Sequence, residues 1–279
     1  MRIICFTILI ILCFVAKLYA FNIKISESKT DKNFKYYHVY NDSYDVISVS
    51  IAFKSSGYVY DETRNSGISA IFIKLMNDYS FARNKDLFRM NLAKYGIRLR
   101  FNIDPDNFYI TAKAPARNSK HLFAAIYEAL YFNNFYIDEI NRAKKYINAL
   151  RSEARLDPNY ILSKKVKSIL YGNHQYAADY LGNKKSIYNI TKFDIVNYGA
   201  ERISLDNMKF VISGKIKSKE AKQEINKLLN LMQGDVPLPI KLNKVDFKQK
   251  KSEFLKFDKE QHQYQFVVPI LHNKSEKEF

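Results

Sequence analysis

Residues 46–79 constrain the fold more than any other part of the chain, because two different hydrophobic periods follow each other across a single loop. In Val46-Ile-Ser-Val-Ser-Ile-Ala-Phe53, Val49, Ile51 and Phe53 alternate with Ser48, Ser50 and Ala52, the period-two pattern of a strand with one buried face. From Gly67 to Tyr79, the residues Ile68, Ile71, Phe72, Leu75, Met76 and Tyr79 fall at i, i+3, i+4, i+7, i+8 and i+11, which is one continuous apolar stripe of a helix. Gly57 and the charged stretch Asp61 to Asn65 make the loop between them, and Ser66 or Asn65 is expected to cap the helix. A one-faced strand joined to a one-faced helix is a building block of a layered domain.

The remaining segments extend the same scheme. Phe34 to Tyr40 reads as a strand ending in the turn Asn41-Asp-Ser43, whereas the polar stretch Asn22 to Asn33 gives no strand signal. A helix from Lys85 to Tyr95 is stopped by Gly96. Ile97 to Ile103 and Phe108 to Ala114 flank Asp104-Pro-Asp-Asn107, a strand, turn and strand. Leu122, Phe123, Ile126, Leu130 and Tyr131 share one face of a helix after Pro115. A charged amphipathic helix then runs from Ile137 to about Arg155 with Ile140, Ile147 and Leu150 inward, Asp157-Pro158 interrupts it, and another helix reaches Tyr171. Thr191 with Asp194 predicts a capped helix start, Met208 to Ser213 a strand, and Ser218 to Met232 a helix. The predicted class is α+β with a largely antiparallel sheet flanked by helices. At 47% hydrophobic and 15% aromatic residues, the chain has enough apolar side chains for a real core.

Arg2, the apolar run Ile3 to Ala16 and the small residue Ala20 read as a secretory signal over 1–20. That run is shorter than the roughly 18–20 residues a membrane span needs, so retention as an anchor is the alternative. Cys5 and Cys13 both lie in it, which leaves the processed chain without thiol or disulfide chemistry. Because the segment carries Arg2 and Lys17 and no acids, its removal takes the formal charge from +17 to +15. Lysine is spread along the whole chain, without an arginine-rich cluster, an aromatic RNA-binding motif or zinc-finger spacing, so nucleic acid is not an expected partner. A membrane partner is expected only if the signal stays uncleaved.

Three segments then point to a family. The first is Val49-Ser-Ile-Ala-Phe-Lys-Ser-Ser-Gly-Tyr-Val-Tyr-Asp-Glu-Thr-Arg-Asn-Ser-Gly-Ile-Ser. The second runs from Tyr171-Gly-Asn-His-Gln-Tyr176 through Leu181-Gly182 to Ile187-Tyr-Asn-Ile-Thr-Lys-Phe-Asp-Ile195. The third is Asn207-Met-Lys-Phe-Val-Ile-Ser-Gly-Lys-Ile216. In this order and spacing they resemble the insulinase/pitrilysin family, which includes the mitochondrial processing peptidases. His174, Tyr176, Gly182, Ile187, Ile190, Thr191 and Asp194 carry the densest match. The resemblance implies the family's half-domain fold, repeated in tandem in relatives as two similar domains of about 200 residues. The expected organisation is a signal at 1–20, a polar lead at 21–33, an insulinase-type N-terminal domain at 34–233, a linker at 234–244, and a truncated start of a second similar domain at 245–279. A strand is expected from Tyr264 to Val268.

In catalytic relatives the helix after Gly-apolar-small carries His-x-x-Glu-His, two zinc ligands on one helical face with the glutamate as base. In register after Gly67-Ile68-Ser69, Ala70 and Lys74 stand in the histidine positions and Ile73 in that of the glutamate. The family's third ligand, a glutamate about 75 residues further on, falls within Ala149 to Arg151, with Leu150 the leading position and Glu153 the nearest acid, out of phase. The five histidines, His38, His121, His174, His262 and His272, form no i+3 or i+4 ligand pair. No catalytic or metal-binding residue is therefore expected and no cofactor, where relatives hold zinc. Lys74 is expected to point to solvent. His174, Tyr176 and Gly182 are expected to form a substrate-contacting or structural loop. The implied function is that of an exported, periplasmic or secreted, zinc-free and proteolytically inactive homologue that binds extended peptides and partners a catalytic subunit. The alternatives are a divergent zinc endopeptidase and a degenerate truncated remnant.

Overall fold

The computed structural model describes residues 25–131, 135–232, 242–243, 245, 253–256 and 263–267. The expected signal, and most of the expected linker and second-domain start, lie outside the described residues.

A six-stranded sheet organises the domain: β1 (Ser26–Lys29), β2 (Lys35–Tyr40), β3 (Val46–Phe53), β4 (Arg98–Ile103), β5 (Phe108–Pro115) and β6 (Met208–Gly214). Their spatial order is β1-β2-β6-β3-β5-β4, antiparallel at every pairing except β2 with β6. The predicted α+β class with a mainly antiparallel sheet is thus what forms. β3 lies in the middle because its alternation is the cleanest, burying Ile47, Val49, Ile51 and Phe53 on one face. In register with it, Phe108, Ile110 and Ala112 of β5 and Met208, Phe210 and Ile212 of β6 turn to the same side.

The helices are α1 (Ile68–Asn77), α2 (Lys85–Lys94), α3 (Ser119–Tyr131), α4 (Ile137–Ala154), α5 (Pro158–Tyr171), α6 (Lys184–Asn189), α7 (Lys192–Arg202) and α8 (Ser218–Leu231). α1 is buried almost all round, including Ser69, Ala70 and Ile73 as well as the predicted stripe, so it is the central helix of the core. Phe72 of α1 meets the rings of Phe108, Phe135 and Tyr198 at 5.9, 6.0 and 5.2 Å, fastening sheet, α4 entry and α7 around one aromatic centre.

Several local readings need correction. β1 forms in the polar stretch that gave no strand signal, because edge pairing to β2 rather than apolar alternation selects it. α6 is a short helix started by a capping box of Asn183 and Ser186. The described part of the strand expected at 264–268, residues 264–267, is not a strand. Ser163 of α5 hydrogen-bonds to Gln265 at 3.4 Å, and Lys165 pairs with Glu253 at 2.8 Å. On α4 the buried position next to Leu150 belongs to Arg151, which donates from Nη2 to Asn148 Oδ1 at 2.7 Å, while Leu150 is only partly buried.

Candidate functional site

The region where relatives would hold metal is built by α1, α4 and two glycine contacts. α1 begins at Gly67, whose φ of +89° is a left-handed value that only glycine adopts without strain. Neither Ser66 nor Asn65 caps the helix. Asp61, six residues upstream, does so: its Oδ2 accepts from the Gly67 N–H at 3.2 Å, the Ser69 N–H at 3.3 Å and the Ser69 hydroxyl at 2.8 Å. A carboxylate there meets both the free N–H groups and the positive end of the helix dipole.

That cap is enclosed. Residue 61 as a whole keeps some surface, yet its Oδ1 is sealed from solvent and has no protein partner. Burial pushes the carboxyl up to about 7, against the lowering effect of the Ser69 hydrogen bonds, the Arg202 guanidinium and the Gly67 N–H. Arg202 is itself buried and donates from Nη2 to the Tyr60 carbonyl at 2.8 Å. Its own carbonyl accepts from Ser56 Oγ at 2.8 Å and Asn207 Nδ2 at 3.0 Å. The start of α1 and the end of α7 are therefore tied into one buried polar network.

Ala70 is 1% exposed and Ile73 9%, so both point into the protein, and neither carries a donor atom. Lys74 does not simply reach into solvent. Its half-buried ammonium pairs with Asp78 Oδ1 at 2.8 Å and lies 4.4 Å above the Tyr146 ring of α4. A protonated amine held by a carboxylate and an aromatic face repels a divalent cation. Leu150 offers nothing, Glu153 is exposed, and among the described residues no group of three His, Cys, Asp or Glu could hold a metal. The residues at the zinc positions of catalytic relatives do not fit the ion, so no hydrolytic step through it is derived.

The loop that carries the densest family match is brought against α1. Gly182, at φ +60°, lies so close to the α1 entry that a Cβ would sit 2.2 Å from the Ser66 carbonyl oxygen and 3.0 Å from Gly67 Cα. Ser186 Oγ donates to that same Ser66 carbonyl at 2.7 Å. Tyr176 donates its hydroxyl to Asp106 Oδ1 in the β4–β5 turn, and burial together with that bond raises its phenol. His174 caps a short 3-10 turn by accepting from the Tyr176 N–H at Nδ1, 3.1 Å, while Nε2 lies 2.7 Å from the Asn243 carbonyl. Both ring nitrogens are thus engaged. Tyr176→Phe should cost about 1–2 kcal/mol by leaving Asp106 without its donor, measured by urea unfolding.

Of the other histidines, His38 is buried with Nε2 2.9 Å from the Ile216 carbonyl, and His121 stacks on Tyr95. Sequence reasoning missed Asp61 and Arg202. Only Asp61 left a signal, an acid shortly before the glycine that opens the helix.

No family model matches the sequence, and no curated protein matches it. Solved structures do match. The peptidase M16 inactive domain from Pseudomonas fluorescens has a TM-score of 0.73 at 16% identity over 80% of this chain and 54% of its own. The periplasmic protease PqqL from Escherichia coli has 0.65 at 15% identity over 78% of this chain and 25% of its own. A chain of complex III2 from Candida albicans has 0.59 at 18% identity over 78% and 50%. The chain has the fold of the M16 peptidase half-domain, as the resemblance to the insulinase/pitrilysin family implied. It spans about half the length of the first of these structures.

Proposed function

We propose that this chain is a metal-free, proteolytically inactive homologue of the M16 peptidases that works as a non-catalytic partner, helping a catalytic relative to hold an extended peptide. One observation carries the reading. The positions that bind and activate zinc's water in relatives are a buried alanine, a buried isoleucine and a lysine locked between Asp78 and Tyr146. A fold that keeps its packing while its donor set is apolar or cationic retains shape recognition and loses Lewis-acid chemistry.

One further feature supports a partner role, and another supports export. Solved structures with this fold include an inactive M16 domain and a chain from the assembled complex III2. The apolar start of the sequence and the fold shared with a periplasmic protease favour export to the periplasm or beyond. The test is purification of the native protein from the exported fraction, followed by mass spectrometry and metal analysis. The expected result is co-migration with a chain bearing His-x-x-Glu-His, with zinc only in that chain. Stoichiometric zinc on this chain, with peptide hydrolysis abolished by a chelator, would establish the divergent peptidase instead. A lone metal-free monomer would establish the remnant.

A further inference from the structure

The corner between α6 and α7 presents two aromatic rings to water. Tyr188, near the end of α6, is 81% exposed, and Phe193, in the first turn of α7, is 72% exposed. The corner itself is fixed from beneath. Ile187, Ile190 and Ile195 are buried on its inner side, and each helix opens with a capping box, Asn183 with Ser186 and Thr191 with Asp194. The Tyr188 carbonyl also accepts from the half-buried Lys144 ammonium of α4 at 2.9 Å. Both rings are thus held outward on a fixed backbone rather than on a loose loop.

The charges around the rings have one sign. Between Asp179 and Asp194 the chain carries Lys184, Lys185 and Lys192 and no acid, and both bounding carboxylates are engaged within the domain. Asp179 accepts from the Tyr160 hydroxyl and pairs with Lys164 at 2.7 Å, whereas Asp194 accepts from the Thr191 N–H at 2.8 Å and its hydroxyl at 2.6 Å. Lys184 and Lys185 are exposed and make no ion pair among the described residues. Of the nearby acids, Glu62 is held by Arg64 at 2.6 Å, and Glu201 stands about two turns further along α7. Two water-facing rings set among cations on a rigid corner are a contact surface.

We propose that this corner docks on an anionic lipid surface, with Tyr188 and Phe193 entering the headgroup layer and Lys184, Lys185 and Lys192 meeting its phosphates. Aromatic rings beside cationic side chains are favoured at that depth, and each lysine near a negatively charged leaflet adds to the attraction. A protein groove suits the corner less well, because lysine is depleted at protein interfaces and here surrounds both rings. The inference goes beyond the proposed function and does not depend on it. It places the folded domain itself at a membrane, whether or not the apolar segment at 1–20 is retained.

The test is sedimentation of the full chain with vesicles containing phosphatidylglycerol, beside vesicles of phosphatidylcholine alone. Binding should be at least about tenfold stronger to the anionic vesicles and should weaken as salt rises. Tyr188→Ser/Phe193→Ser should lower the partition coefficient about tenfold or more, and so should Lys184→Glu/Lys185→Glu. Leu87→Ser/Met90→Ser, which replaces another exposed apolar pair on α2, should change it by less than about twofold. Residues 1–20 are common to every variant, so a contribution from them cancels. Because all these side chains are exposed, circular dichroism should show unchanged folding, and Phe193→Ser alone provides a milder second reading. No sedimentation with pure lipid, equal sedimentation with phosphatidylcholine, or losses from the corner variants no larger than from the α2 pair overturns the proposal.

Discussion

Gly182→Val should destabilise the domain by about 3 kcal/mol or more, a large part of the roughly 5–15 kcal/mol that holds a domain folded. Two separate effects add at this position. The left-handed φ of +60° costs a residue with a Cβ about 1–2 kcal/mol. The Cβ would also stand 2.2 Å from Ser66 O and 2.7 Å from Ser66 C, and these are backbone atoms at the entry of α1 that cannot swing aside. Gly96→Ala separates the two contributions. Gly96 has a similar φ of +62°, but its nearest neighbour is Pro115 Cδ at 3.4 Å, so only the conformational cost of about 1 kcal/mol remains. Urea unfolding of both variants measures the difference. A Gly182→Val protein no less stable than Gly96→Ala would show that the loop does not press on α1.

Asp61 gives the second large effect, a fall in stability on going from pH 5 to pH 8. Its folded carboxyl is raised from 3.8 to about 7 by burial. The folded state therefore holds a proton that the unfolded state has released, so stability is full below about pH 4 and is lost as pH rises through about 7. Between pH 5 and 8 that amounts to about 2–3 kcal/mol. Carboxylates whose values are lowered, such as Asp179 beside Lys164 and Tyr160, act in the opposite sense and at lower pH. The comparison with Asp61→Asn isolates the effect: the amide oxygen still accepts from the Gly67 and Ser69 N–H groups but does not titrate. Denaturant midpoints should diverge between the two proteins as pH rises, with Asp61→Asn the more stable at pH 8. Parallel pH profiles would rule out a titrating Asp61.

Much of the fold was legible because it rests on local periodicity. The alternation in β3, the stripe of α1, the Asp104-Pro-Asp-Asn107 turn and the Thr191 capping box are all formed where the sequence predicts them. What stayed hidden depends on contacts far along the chain. Ser26-Glu-Ser-Lys29 has no strand pattern and becomes β1 only by pairing to β2. The α1 cap comes from Asp61 rather than an adjacent side chain. Lys74 finds Tyr146 on a helix whose approach no spacing rule reveals. The apolar and cationic replacements at 70, 73 and 74 were readable from the motif register, whereas their enclosure, and the backbone contact that explains Gly182, are tertiary facts.

The account turns on whether this domain grips a divalent ion, and equilibrium dialysis of the purified full chain against zinc measures that directly, beside Lys74→Ala. The account predicts substoichiometric zinc, below about 0.1 ion per chain, in both proteins and no chelator-sensitive hydrolysis of unfolded peptides. One tightly held zinc per wild-type chain, with chelator-sensitive cleavage, would contradict it.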